Sequence, residues 1–82
     1  MATGTVRYWA AAKAAAGVAE EPFDAETLQD LLAAIGGRPE LERVLRRSSF
    51  LIDGHPAGTR DPSVVLLPEG AVVEVLPPFA GG

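Results

Sequence analysis

The 82-residue chain can build one small hydrophobic core and no second domain, and with no cysteine it has neither disulfides nor thiolate metal ligands to support that core. Its net charge of −4 is spread along the chain, which argues against nucleic acid as a partner, because phosphate binding needs clustered Lys and Arg. One histidine, no glycine-rich nucleotide loop, no secretory signal and no apolar run near the ~20 residues that span a bilayer exclude the common catalytic, metal and membrane readings, so a cytoplasmic domain is expected.

The first predicted element is a strand over Thr5–Trp9. It is rich in β-branched and aromatic residues, with Val6 and Tyr8 on one face and Thr5, Arg7 and Trp9 on the other. Ala10–Gly17 then reads as a short helical turn, since alanine favours helix and Gly17 is a natural stop, although a helix this short is marginal alone and an irregular loop is the alternative. Val18–Phe23 is expected to pair with the first strand as a hairpin, and Pro22 restricts it to an edge or a bulge. The clearest helix follows. Thr27 and Asp30 have the spacing of a capping box, Leu28, Leu31, Leu32 and Ile35 fall at i, i+3, i+4 and i+7, and Gly36 and Gly37 end it.

A shorter helix begins with Pro39 at its first position and turns Leu41, Val44 and Leu45 inward. Glu40 and Glu42 lie near its N-terminus and Arg46 and Arg47 near its C-terminus, as the helix dipole favours. Arg46 and Arg47 have a second reading, as a docking patch for an acidic partner. Ser49–Ile52 leads as a strand into Asp53-Gly54, a favoured two-residue turn. His55 follows it and reads as a polar surface residue more readily than a catalytic one. Leu67–Gly70 is a further turn, and Ala71–Leu76 is the last strand, with Val73 and Val75 on one face and Val72, Glu74 and Leu76 on the other.

A hairpin, a helix able to pack across a sheet, and strands at both ends of the domain point to an α+β architecture. If the first and last strands pair in parallel, the result is a ubiquitin-like β-grasp: a mixed sheet crossed by its main helix. The domain then occupies residues 1–76, and residues 77–82 form an extended tail.

That tail is Pro77, Pro78, Phe79, Ala80, Gly81 and Gly82. Fraying accounts for terminal glycines but not for the prolines before them, which hold an extended path and prevent a sharp fold-back. Glycines without a Cβ can pass through a narrow channel in a partner, and the carboxylate of Gly82 has no bulk beside it to hinder a nucleophile. The tail has the form expected of a terminus that is itself a substrate.

Leu67–Gly82 (LPEGAVVEVLPPFAGG) resembles the closing pattern of the MoaD/ThiS family of ubiquitin-like sulfur carriers, a final strand with a proline pair before a diglycine, and is most like its molybdopterin synthase small-subunit branch. Ala71 departs from that pattern where an acidic residue is common. Val6–Gly17 is similar to the family's first strand with its A-x-R/K-x-x-x-G continuation, and Phe50–Gly58 to its VNG turn, with Asp53 replacing Asn. The resemblance implies a carrier and co-substrate rather than a stand-alone enzyme, serving as the small subunit of a molybdopterin synthase. An E1-like adenylyltransferase would use ATP and magnesium to activate the Gly82 carboxylate, and a sulfur-donor protein would convert it to a thiocarboxylate. Gly82 is then the reactive residue and Gly81 its slim neighbour. Leu76, Pro77, Pro78 and Phe79 would engage partners, among them a synthase large subunit or another acceptor enzyme, although Leu76 reads equally well as a residue at the edge of the core. No metal and no cofactor would be bound by the chain itself. Sulfur delivery to cysteine, thiazole or secondary metabolites is the alternative, as is attachment to other proteins as a ubiquitin-like modifier. The proline pair leans away from the thiazole branch.

Overall fold

The structure, a computed structural model, describes residues 2–78. Along the chain run β1 (Ala2–Tyr8), α1 (Ala10–Ala16), β2 (Glu20–Ala25), α2 (Leu28–Ile35), α3 (Pro39–Leu45), β3 (Ser49–Ile52), β4 (His55–Pro56), a 3-10 turn (Pro62–Val64) and β5 (Val72–Leu76). The five strands form one mixed sheet in the order β2-β1-β5-β3-β4, in which β1 and β5 are parallel and the other neighbours antiparallel. With the helices packed on it, this is the ubiquitin-like β-grasp expected from the order of elements, and the last strand lies at its centre.

Each strand sends alternate residues into the core. Val6 and Tyr8 of β1 and Val73 and Val75 of β5 are buried, beneath Leu28, Leu31 and Ile35 of α2 and Leu41 and Leu45 of α3. Burying each such aliphatic side chain is worth roughly 1.5–3 kcal/mol before chain entropy is charged against it. The α2 capping box is present in full. The Thr27 hydroxyl accepts from the Asp30 N–H at 3.1 Å, and the Asp30 carboxylate accepts from the Thr27 N–H at 3.4 Å. At the far end the Gly36 N–H donates to the Leu32 carbonyl at 2.8 Å.

Two strands differ from the sequence expectation by more than one residue; in addition β1 stops at Tyr8 rather than Trp9 and β5 starts at Val72 rather than Ala71. β1 begins at Ala2, three residues early, because its pairing with β2 continues to Ala2 opposite Ala25. β2 runs over Glu20–Ala25 rather than Val18–Phe23. Gly17 caps α1 in the left-handed region (φ 81°), and the chain needs Val18 and Ala19 to return to the sheet, so Phe23 and not Val18 faces the core. Pro22 stands opposite Thr5 on an edge strand, where its missing N–H leaves no gap in the sheet interior. Ala10–Ala16 is a true helix, supported by packing rather than by its length: Ala12 is fully buried, and α1 lies against α3.

Candidate functional site: the exit of the last strand

Three sets of contacts fix the start of β5. At the β3–β4 hairpin, Asp53 (φ 51°) and Gly54 (φ 83°) form a turn with both central residues left-handed. That conformation places the Asp53 carboxylate to accept from the Val72 N–H at 2.9 Å, while the Asp53 N–H donates to the Val72 carbonyl at 2.9 Å. On the other flank Gly70 N–H donates to the Thr3 carbonyl at 2.7 Å, and Thr3 donates to the Glu69 carboxylate from both its N–H (3.0 Å) and its hydroxyl. The hydroxyl first and the N–H second hold Glu69 below the usual carboxylate range. Between these clasps, Thr5 N–H donates to the Ala71 carbonyl at 3.0 Å and sets the parallel register of Thr5 opposite Val72 through Tyr8 opposite Val75.

The other end of β5 is where the chain leaves. Trp9 N–H reaches the Val75 carbonyl at 3.3 Å, and Leu76 pairs with Ser49 of β3. Leu76 points to the open face of the sheet, half-buried, on the same side as Val72, Glu74 and Leu51. A row of cross-strand neighbours, Arg7, Glu74, Leu51 and Pro56, crosses that face. Pro77 turns inward and is buried, whereas Pro78 is exposed. Neither carries an N–H, so the strand ladder stops at Leu76. Pro77 and Pro78 form one wall of a groove of about 180 Å³ whose remaining lining is Ala11 of α1, Arg43 and Val44 of α3, and Arg47 just beyond it. Phe79, Gly81 and Gly82 lie outside the described residues.

The charges around this exit are unevenly paired. Glu21 accepts from the Tyr8 hydroxyl at 2.5 Å and from Arg38 at 2.8 Å, and Arg38 also donates to the Ala16 carbonyl at 3.2 Å, which ties the end of α1 to β2. The Tyr8 hydrogen bond is the main influence holding the Glu21 carboxyl below its ordinary range. Burial pushes the other way and Arg38 adds to the lowering. Burial first and the Glu21 carboxylate second push the Tyr8 phenol up. Arg46, one of the two arginines singled out in the sequence, bridges Glu42 at 2.7 Å. Arg47 instead faces the exit groove together with Arg43, which the sequence reading passed over. The i, i+4 spacing of Arg43 and Arg47 was the signal available. His55 is exposed on the hairpin, and no group of three His, Asp or Glu side chains among the described residues could hold a metal ion. No described helix is long and apolar enough to cross a membrane.

The family model described as "ThiS family" matches residues 6–82 of the chain. No functionally curated protein matches it significantly. Among solved structures, small archaeal modifier protein 1 from Methanosarcina acetivorans superposes with a TM-score of 0.85 at 26% identity, covering 100% of this chain and 98% of that one. Small archaeal modifier protein 1 from Haloferax volcanii gives 0.80 at 24% identity, over 98% and 99% of the two chains. The complex of subunits 1 and 2 of the molybdopterin-converting factor from Helicobacter pylori gives 0.74 at 24% identity, again over 98% and 99%.

Proposed function

The chain belongs to the ThiS family, and on that premise we propose that it is a sulfur carrier whose Gly82 carboxylate is the working group, serving molybdopterin synthesis. The observation that carries the reading is the family match over residues 6–82, which takes in the Pro77-Pro78 pair and the Gly81-Gly82 end. The fold suits it: a central strand clasped at its start and paired on both sides delivers the chain at a fixed point, and the buried Pro77 sets the direction of departure.

The chemistry follows from the weakness of a carboxylate as an electrophile. An E1-like activating enzyme, holding ATP and magnesium itself, joins the Gly82 carboxylate to the α-phosphate of ATP and releases pyrophosphate. The acyl-adenylate now has AMP as its leaving group. A sulfur-donor protein supplies a hydrosulfide equivalent to the carbonyl carbon, the C–S bond forms as the C–O bond to AMP breaks, and one proton is lost to leave a thiocarboxylate. Glycine at position 82 leaves the carbonyl open to attack, and glycine at 81 lets the terminus enter a narrow active site. The large subunit of a molybdopterin synthase would take up the same tail, with Leu76, Pro77, Pro78 and Phe79 guiding it; one structural neighbour is named as a complex of two molybdopterin-converting subunits.

A second reading keeps the activated Gly82 but passes it to lysine amines of other proteins. The Methanosarcina neighbour, at 26% identity, bears the name of a modifier protein. Intact-mass measurement after co-expression with an E1-like enzyme separates the two. A carrier gains the mass difference between sulfur and oxygen and loses that gain when Gly82 is deleted. A modifier yields isopeptide-linked conjugates. A gain that persists without Gly82 refutes both.

A further inference from the structure

We infer that Arg43 and Arg47 form a carboxylate-docking site beside the tail, and that its occupant is an acidic segment on the activating enzyme. The inference rests on the carrier reading for the identity of that enzyme.

The two arginines lie four residues apart, one in the last turn of α3 and one just beyond it, on the same side. Each of the arginines Arg7, Arg38 and Arg46 holds a carboxylate, from Glu20, Glu21 and Glu42. Arg43 and Arg47 hold none among the described residues. The helix dipole accounts for basic residues near this end of α3. It does not account for two like charges at a spacing where they repel, both lining a groove whose other residues, Ala11, Val44, Pro77 and Pro78, are apolar. Guanidinium groups over apolar surface are well suited to bidentate capture of Asp and Glu side chains. The groove is a local positive site on a chain of net charge −4, so it selects an acidic surface while the rest of the molecule repels one. Its position ties its occupant to capture of the tail, of which the activating enzyme is the first in the proposed sequence. Pro77 and Pro78 are both its wall and the start of the tail, so an enzyme that takes hold of the tail close to its base must pass over these two arginines.

The test measures binding of the E1-like enzyme used in the mass experiment by titration calorimetry at low and high salt. The variants are R43E/R47E, R43K/R47K and the charge-matched control R46E/R60E, whose residues lie outside the groove; circular dichroism verifies the fold of each. R43E/R47E is expected to weaken binding roughly tenfold or more and to flatten its salt dependence, because charged contacts at an interface rim act through steering and screening. R43K/R47K should fall between wild type and R43E/R47E, keeping the salt dependence but losing the part of the affinity that bidentate contacts supply, and the control should stay close to wild type. Equal weakening by R43E/R47E and the control overturns the inference, as does a wild-type chain that does not bind. Binding of pyrophosphate to the chain alone that R43E/R47E abolishes would assign the groove to phosphate, and altered Arg43 and Arg47 side-chain NMR signals on deletion of residues 79–82 would assign it to the chain's own tail; either overturns it. Arginine-dependent binding without any mass gain refutes the carrier reading alone, and mass gain with arginine-independent binding refutes this inference alone.

Discussion

Replacing Gly4 by alanine tests whether the clasp between β1 and β5 holds the exit in place. A Cβ at Gly4 would lie well inside contact distance of the Ala71 carbonyl oxygen and 2.7 Å and 2.8 Å from two ring carbons of Phe23. The ring has some freedom to move, but the carbonyl does not, because it accepts the Thr5 N–H at 3.0 Å and belongs to the parallel register itself. Overpacking of this kind costs ~1–3 kcal/mol, and a weakened Thr5 hydrogen bond adds ~0.5–1.5 kcal/mol. The reduced freedom of the unfolded chain returns ~0.4–1 kcal/mol. The central values balance to a loss of about 2 kcal/mol, or roughly 8–16 °C in Tm for a domain of this size. Urea unfolding followed by circular dichroism measures it. Gly37→Ala is the control, since a Cβ there meets nothing within 4 Å, and its stability should be unchanged or slightly raised. A Gly4→Ala loss below about 0.5 kcal/mol, or a loss equal to the control's, would refute the argument that steric exclusion at Gly4 guards this register.

The Tyr8–Glu21–Arg38 group gives stability a defined pH dependence. The folded carboxyl of Glu21 is depressed, so its contribution is fully present above the unfolded value near ~4.3 and is lost as pH falls through the lower folded value. Tyr8 is raised, so its contribution is present below ~10 and lost only as pH rises through the higher folded value. Glu21→Gln should destabilise by ~1–2 kcal/mol at pH 7 and flatten the acid limb of a urea-midpoint profile; an unchanged acid limb would count against the assignment. At the other clasp, Asp53→Asn keeps both an acceptor for Val72 and tolerance of the left-handed turn, and should be nearly neutral. Asp53→Ala loses both and should cost ~1–2 kcal/mol by the same measurement, so an Ala loss no larger than that of Asn and close to zero would show that the side-chain contact contributes nothing.

Local chemistry explains what could be read before the structure. The α2 cap at Thr27 and Asp30, the stop at Gly36, the proline at the start of α3 and the Asp53-Gly54 turn all depend on residues within one turn of each other, and each is found as the sequence implied. The facing of β5 was legible as well, because alternation alone separates Val73 and Val75 from Glu74. The limits of β2 were not, since they depend on how many residues the chain needs to return from α1. The two-residue β4 exists through its pairing with β3 and is too short for any pattern, whereas the turn at Pro62–Val64 is held locally, by the Asp61 carboxylate accepting from the Ser63 N–H at 2.9 Å, and went unread. At the exit, the local rules for proline predict an extended path at both Pro77 and Pro78 and give no reason to bury one and expose the other. The grouping of Arg43 and Arg47 with the prolines joins parts of the chain about thirty positions apart, which only folding brings together.

The central placement of β5 has a consequence for how proteins of this shape open. A strand at a sheet edge can fray while the remainder holds, and the short β4 is free to do so. β5 has neighbours on both sides, and its pairing with β1 joins opposite ends of the sequence. To release it, both ladders must break and Val73 and Val75 must leave the core together. The amides of β5 are therefore expected to exchange with solvent only in the rarest, near-global openings. The point from which Pro77 departs is as persistent as the domain itself, so a partner meets the tail at one position for as long as the protein is folded.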